Sequence, residues 1–446
     1  MSTLDKNIIQ KMKLLDNPGI AFLKKIFIGF DWKGTGIVLL TFILTRAMVV
    51  IVLYFSMAEI EVSKGEYLWR YNPRNLIADG LIRWDSGFYI SIADHGYKSI
   101  YDESAEPIPW DSNFFIPIPN HGYNRLLVAF FPLYPLLIRA TAFITGNIIT
   151  SGLWVSNISF LMALFYLYAL TKQEFDGETA GRAVFFIAAA PFAFFFSAVY
   201  AESTLLLFTA AGFYYSRNKK WFLAGLAGAL ASATRLPGVL VAVFIFLEAL
   251  WQQGFRFFPR PWSIKAQIEA VKKDVQALPR AWKGFLASLL STSGLIAHMI
   301  YLNMTVGDPF AFLHGRIRSI SFDWLSKLIQ NTYNLHRWSG NIFSGEIAHI
   351  EVLMDTLFTI AFIPLVILVL LKFRPSFGLF TLFSFLFPLI SGTTASMQRY
   401  ALIFIPCYIL LALWGKRPWV ERVIIGISLP LQALFLILFA NWTWAG

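Results

Sequence analysis

Apolar positions along this chain come in long blocks separated by short polar stretches, without the short alternation of a soluble fold. Many blocks reach about 18 residues, the length that spans a hydrocarbon core as a helix. Read as membrane-crossing helices they cover about 36–57, 150–171, 183–197, 201–216, 221–234, 237–251, 284–303, 353–371, 376–391, 400–415 and 421–440. The expected fold class is therefore an all-α polytopic membrane protein with about 11 transmembrane helices. A further apolar run, 126–146, is ambiguous. It follows Asn124 and Arg125, contains Phe131-Pro132-Leu133-Tyr134-Pro135, and carries Arg139 near its middle.

Charge decides how that run is threaded. With a cytoplasmic N-terminus and 126–146 not crossing, the inside segments hold 23 Lys and Arg in 94 residues. The outside segments then hold 13 in about 165. Letting 126–146 cross would move the basic segments 217–220, 252–283 and 415–422 outside, against the positive-inside tendency. The non-crossing arrangement leaves external loops at 58–149, with interfacial helices, and at 304–352. It also leaves a basic cytoplasmic loop at 252–283, helical from about Lys265 to Leu278. Residues 1–35 carry six Lys and no cleavage site after the first apolar run, so they read as a cytoplasmic segment. Its stretch Ile8–Phe30 is amphipathic and suited to the membrane surface. Trp442 and Trp444 read as an interfacial anchor.

Composition supports lipid as the solvent: 57% of the 446 residues are hydrophobic and 14% charged, against roughly 25% charged in soluble domains. The net charge of +11 lies between apolar runs and not on one soluble face. Anionic lipids and topology account for it, and nucleic-acid binding is set aside. A single cysteine, Cys407, excludes an intrachain disulfide and a cysteine-based metal site. Walker, HExxH and GxSxG patterns are absent.

Four polar clusters fall on the external side of this threading. The first is Arg83-Trp84-Asp85-Ser86-Gly87-Phe88-Tyr89, continuing to Asp94, His95 and Tyr97. Its spacing places Asp85 and Tyr89 on neighbouring positions of a short helix, and an interfacial aromatic belt would explain it equally well. The second runs from Ser197 through Tyr200 and Glu202 to Ser203, either a pocket wall or a capped hairpin turn. The third is Arg235, ahead of Leu236-Pro237-Gly238. A cation among apolar residues is costly unless paired or set against water, which points to function, although capping of the broken helix is the plainer alternative. The fourth is Gln398-Arg399-Tyr400. One carboxylate with two or more arginines on a single surface fits a site that deprotonates a hydroxyl and holds a phosphate, which the planar guanidinium fork suits. Asp85, Asp94 and Glu202 could supply oxygen ligands to a divalent ion such as Mg or Mn, but their spacing demands none. Gly225 and Gly228, among alanines, read as a close helix-packing seam.

In order along the chain, these motifs resemble the PIG-V family, which comprises the second GPI mannosyltransferase and its prokaryotic relatives. The likeness rests on Trp84-Asp85, His95-Gly96-Tyr97, Ala129-Phe130-Phe131-Pro132 with Tyr134-Pro135, Ser197 to Ser203, Ala233-Thr234-Arg235 and Gln398-Arg399-Tyr400, and covers about 36–415. It implies a GT-C glycosyltransferase fold, a polyprenyl-phosphate sugar donor with mannose as the sugar, and a glycolipid or glycan acceptor. It also implies Asp85 as the general base of an inverting transfer. Leu236-Pro237 stands where more polar residues are expected, and a long internal loop of eukaryotic members is missing. Both departures indicate a prokaryotic relative in a bacterial plasma membrane, with the endoplasmic reticulum membrane as the alternative. Expected substrate contacts are Arg83, Trp84, Tyr89, His95, Tyr200, Glu202, Arg235, Gln398 and Arg399, with Asp94 or Glu202 as alternative bases. The apolar stretch 126–146 and its neighbours are expected to guide the isoprenoid chain. The competing class is a lipid or solute transporter or flippase, which would place ionisable residues near the midplane and show repeated broken helices. A non-catalytic subunit of a larger complex is a third reading.

Overall fold

In the computed structural model the description covers residues 32–60, 75–97, 127–255, 264–314, 323–333, 350–390, 392 and 394–442. The amphipathic segment Ile8–Phe30, Trp444 and much of the two external loops lie outside these residues. Every described element is helical, and each apolar block of the sequence becomes one helix or a helix pair. Among the described residues, five stretches are long and apolar enough to cross a membrane: Trp32–Glu59, Ile148–Glu174, Trp282–Val306, Val352–Lys372 and Pro418–Ala440. A sixth, Met397–Ile403 with Ile405–Trp414, is a pair bent by 79°.

Local chemistry sets the boundaries. Asn147 Oδ1 accepts the Thr150 N–H at 2.9 Å and starts Ile148–Glu174, while Asp176 Oδ1 accepts the Thr179 N–H at 2.7 Å and starts Gly177–Ala188. Such caps satisfy donors that have no partner inside the helix. Prolines open Pro375–Leu389 and Pro418–Ala440, where a missing N–H costs nothing. The expected helix near 265–278 is present as Ile264–Arg280.

The run 126–146 forms a 3-10 turn, Leu127–Ala129, and a 13-residue helix, Leu133–Thr145. At 1.5 Å per residue that helix is about 20 Å long, shorter than the roughly 30 Å hydrocarbon core. One flank packs on Ile148–Glu174 through Tyr134, which bonds Ser156 Oγ at 2.6 Å. Phe143 and Ile144 are left almost fully exposed, as suits a helix lying against lipid.

The expectation of a continuous helix over 183–197 is corrected. The helix stops at Ala188, Pro191 interrupts the chain, and a 3-10 turn follows at Ala193–Phe196. Carbonyls freed at membrane depth must be satisfied by protein. Arg46, in the middle of Trp32–Glu59, donates to Ala188 O at 3.1 Å, Ala193 O at 3.0 Å and Ser197 Oγ at 3.0 Å. Gln432 donates to Ala188 O and Ala190 O at 3.2 and 3.0 Å. Two distant helices thus stitch the break closed.

Phenylalanines fill the centre of the bundle, including Phe160 stacked on Phe196 at 4.4 Å and Phe213 on Phe244 at 3.6 Å. A second seam is built from small residues. A Cβ on Gly228 would lie 1.8 Å from Ser291 Oγ, and one on Gly225 would lie 2.8 Å from Ala287 O. The backbones of Trp221–Thr234 and Trp282–Ser291 therefore meet only because these positions are glycine.

Candidate functional site

The site begins at the short connection between two short helices, Leu76–Gly80 and Ser86–His95. Trp84 takes φ +52°, a left-handed conformation that disfavours residues with a side chain. Tyr200, fully buried, holds the backbone on both sides of it. Its hydroxyl donates to Arg83 O at 3.0 Å and accepts from Asp85 N at 3.1 Å. This turn sends neighbouring side chains in opposite directions.

Arg83 points inward. Fully buried, it donates from Nε to Ala440 O at 2.8 Å and from NH2 to Asp79 Oδ2 at 2.9 Å. Its guanidinium also lies 4.9 Å from the Trp442 ring. Arg83 therefore ties this loop to the C-terminal helix; the structure does not offer it as a substrate contact. Trp84 packs edge-on against Trp442 at 5.7 Å.

Asp85 points the other way, into a cluster of charges. Its Oδ2 accepts from Arg399 NH1 at 2.8 Å. Arg399 Nε lies 3.4 Å from Glu202 Oε1, and the same oxygen is bonded by Arg235 NH1. Two carboxylates and two guanidiniums thus alternate in the order Asp85, Arg399, Glu202, Arg235. Glu202 is 1% exposed and Asp85 side chain 21%: of the two carboxylates, Asp85 is the one an incoming group can reach. Glu202 Oε2 is buried and has no hydrogen-bond partner among the described residues.

Each member is placed by a helix end. Glu202 opens Glu202–Arg217. Arg235 sits at an extended backbone position (φ −159°, ψ 154°) between Trp221–Thr234 and the turn Leu236–Val239. The break depends on Gly238, where a Cβ would lie 2.0 Å from Ala231 O. Arg235 side chain does not cap the helix that precedes it; it reaches Glu202 and lies 5.6 Å from the Tyr400 ring. Arg399 comes from the one-turn helix Met397–Tyr400, 5.7 Å from the Tyr200 ring.

Tyr89, one turn after Asp85, packs edge-on against Phe130 and Tyr134, both at 5.0 Å, and Tyr200 at 6.4 Å. Burial pushes its phenol pKa above the ordinary value, with Arg235 pulling the other way and Glu202 and Asp85 adding to the rise. The hydroxyl stays protonated at neutral pH and can donate a hydrogen bond.

Besides Arg83, two expected substrate contacts sit elsewhere. His95 lies at the far end of Ser86–His95, about 15 Å along the helix from Asp85, exposed and 3.5 Å from the exposed Asp94 carboxylate. Neither joins the cluster. Gln398 is buried but lines an apolar cavity with Phe186, Phe192, Phe358, Leu402 and Tyr408. Its Oε1 has no hydrogen-bond partner among the described residues. No group of three His, Cys, Asp or Glu among the described residues could hold a metal ion: Asp94 is remote, and Asp85 and Glu202 already face arginines. Sequence reading missed Arg46 and Asp355, although an ionisable residue inside an apolar span is itself a signal.

Comparison with known proteins gives a family match over part of the chain. Residues 130–266, which include Glu202 and Arg235, match the dolichyl-phosphate-mannose-protein mannosyltransferase model. No curated protein matches the chain in sequence. Among solved structures, the Archaeoglobus fulgidus oligosaccharyltransferase in complex with Zn and sulfate is similar at 15% identity and TM-score 0.44. That similarity covers 91% of this chain and 53% of the other, so the chain spans about half the length of that enzyme. ArnT from Cupriavidus metallidurans, bound to undecaprenyl phosphate, is similar at 12% identity and TM-score 0.46, covering 90% of this chain and 76% of the other. AglB from Archaeoglobus fulgidus, in complex with an inhibitory peptide and a dolichol-phosphate, is similar at 12% identity and TM-score 0.43, covering 93% and 57%.

Proposed function

We propose that this chain is a membrane glycosyltransferase of the GT-C type. In this reading it transfers a hexose, mannose in the first instance, from a polyprenyl-phosphate donor to a hydroxyl of a glycolipid or glycan on the extracytoplasmic face. The observation that carries the reading is the alternating quartet Asp85, Arg399, Glu202 and Arg235. The family match over 130–266 supports the reaction class and the polyprenyl-linked donor.

Asp85, the more accessible carboxylate, takes the proton from the acceptor hydroxyl as that oxygen attacks the anomeric carbon. The bond from that carbon to the phosphate oxygen breaks, and its electron pair leaves with the polyprenyl phosphate. Attack from the face opposite the leaving group inverts the anomeric centre. A phosphate leaves without a general acid, so one working carboxylate suffices, unlike the pair used in glycoside hydrolysis. Arg399 and Arg235 face the leaving phosphate, and donors aimed at developing charge are each worth about 2–4 kcal/mol of barrier. Glu202 acts indirectly: a buried carboxylate between the two guanidiniums keeps them in place before substrate arrives. Tyr89 donates to a sugar hydroxyl, and Trp84 offers a face for the ring.

The test is sugar transfer from a labelled polyprenyl-phosphate-mannose by purified protein, beside Asp85→Asn matched for thermal stability. The expected loss is about 10²–10⁴-fold, the usual contribution of a general base. Full activity in the variant would remove Asp85 from the mechanism. A transporter, the competing reading, draws on the broken helices at 189–196 and 235–239. It would make no product in detergent and would need a sealed compartment to show activity.

A further inference from the structure

The arginine that meets Asp85 is carried on backbone too short to hold its own shape. Met397–Tyr400 is four residues long and runs on only into the 3-10 turn Ala401–Ile403, and so short a helical stretch does not sustain itself, because nucleation is unfavourable without propagation. Its geometry is fixed at the residue just before it. Ser396 adopts φ +61° and ψ 20°, left-handed backbone that a residue with a Cβ avoids unless held there. Its carbonyl accepts the N–H groups of Arg399 at 3.0 Å and Tyr400 at 3.1 Å. The conformation of Ser396 therefore decides where Arg399 leaves the main chain.

Ser396 is held by a carboxylate from another helix. Its N–H donates to Asp355 Oδ1 at 3.0 Å. Asp355 is buried, 8% exposed, on the apolar helix Ile350–Lys372. A carboxylate is expensive on a membrane-spanning helix and marks function by default. A backbone N–H donating to an ionised carboxylate is also one of the stronger hydrogen bonds.

We infer that Asp355 is a positioning residue for the site: by holding Ser396 in its left-handed turn it aims Arg399 at Asp85 and at the leaving phosphate. The inference rests on the transferase reading above, in which Arg399 faces that phosphate. In this role Asp355 works through the Ser396 backbone and not on a reacting atom. Asparagine keeps an acceptor oxygen in the same place, whereas alanine removes it and leaves Ser396 strained. Glycine at 396 has no Cβ and adopts the left-handed turn without help.

The experiment uses full-length protein in nanodiscs: wild type, Asp355→Ala, Asp355→Asn, the double variant Asp355→Ala with Ser396→Gly, and Ser396→Val. Two quantities are measured for each: amide hydrogen exchange over 394–400, and the rate of transfer from polyprenyl-phosphate-mannose. Asp355→Ala is expected to lose protection over 396–400 and to lower kcat by about tenfold to hundredfold, with the acceptor KM unchanged. Asp355→Asn should stay near wild type in both, and Ser396→Gly should recover much of the alanine loss. Ser396→Val keeps the carboxylate but opposes the turn, so it should reproduce the loss even where Asp355→Ala does not fold.

Unchanged exchange in Asp355→Ala overturns the inference. So does asparagine as damaging as alanine with no recovery by glycine, or wild-type transfer by Ser396→Val. A wild type that transfers no sugar removes the transferase reading instead, and the exchange arm still decides whether Asp355 sets this backbone.

Discussion

Among the described residues, two clusters of two carboxylates and two arginines stand at opposite ends of the helix Glu202–Arg217, a span of about 24 Å. One is the quartet of Asp85, Arg399, Glu202 and Arg235. The other is Glu174, Arg217, Glu248 and Arg374. In the second, Glu248 is fully buried and bonded on both oxygens: Oε1 accepts from Arg217 at 2.6 Å and Gln252 at 2.8 Å, and Oε2 from Ser376 at 2.6 Å. Arg217 also bonds Glu174, and Arg374 lies 3.4 Å from Glu174 and 3.7 Å from Glu248. In the first quartet, Glu202 Oε2 has no hydrogen-bond partner among the described residues and Asp85 is partly exposed. Equal composition is therefore satisfied to different degrees. A cluster whose carboxylates are satisfied by protein staples helices together, whereas one with carboxylate capacity to spare can receive a ligand.

That contrast can be broken from either side. Removing a partner from a buried ionic network leaves charge uncompensated, so Glu248→Ala should cost about 3 kcal/mol or more of stability. Thermal or denaturant unfolding in detergent checks it, and transfer per folded molecule should be unchanged. Arg399→Lys should do the reverse. Lysine keeps the charge but not the planar fork that spans Asp85 and Glu202, so transfer should fall about 10²-fold with little change in unfolding. If Arg399→Lys unfolds the protein while Glu248→Ala silences it, the two clusters have been assigned the wrong way round.

The smallest effect belongs to a third, exposed pair. Lys416 donates to Asp176 at 2.8 Å. This bond, followed by the Thr179 backbone N–H, lowers the Asp176 pKa from 3.8 to about 2. A carboxylate whose folded pKa is depressed contributes stability above its unfolded pKa and loses that contribution as pH falls through the folded one. Asp176→Asn should therefore flatten the acid limb of stability between about pH 4 and pH 2. Because the pair is exposed, the change should be slight and should shrink further in salt.

Hydrophobic blocks made the helices legible because lipid leaves the backbone little choice but to bond internally. Asp85, Glu202, Arg235 and Arg399 stood out for a related reason: ionisable residues at the ends of apolar blocks have few structural uses. Side-chain direction was not legible. Arg83 and Asp85 are two residues apart, but the left-handed turn at Trp84 sends one into the fold and the other into the site. His95 shares a motif with Asp85 but stands at the other end of a rigid helix. Pro191 was visible within 183–197; the partners that make a break tolerable there, Arg46 and Gln432, come from remote sequence.

Arg46 also sets a timetable. Its acceptors, Ala193 and Ser197, lie 147 and 151 residues further along the chain. At about 5–20 residues per second of synthesis, the ribosome needs roughly 7–30 s to deliver them. An arginine at the centre of an inserting helix costs about 2.5–3.5 kcal/mol in the meantime. The helix Trp32–Glu59 is therefore expected to insert with this charge unsatisfied, sheltered by the insertion machinery or drawn toward a headgroup, until its broken partner arrives.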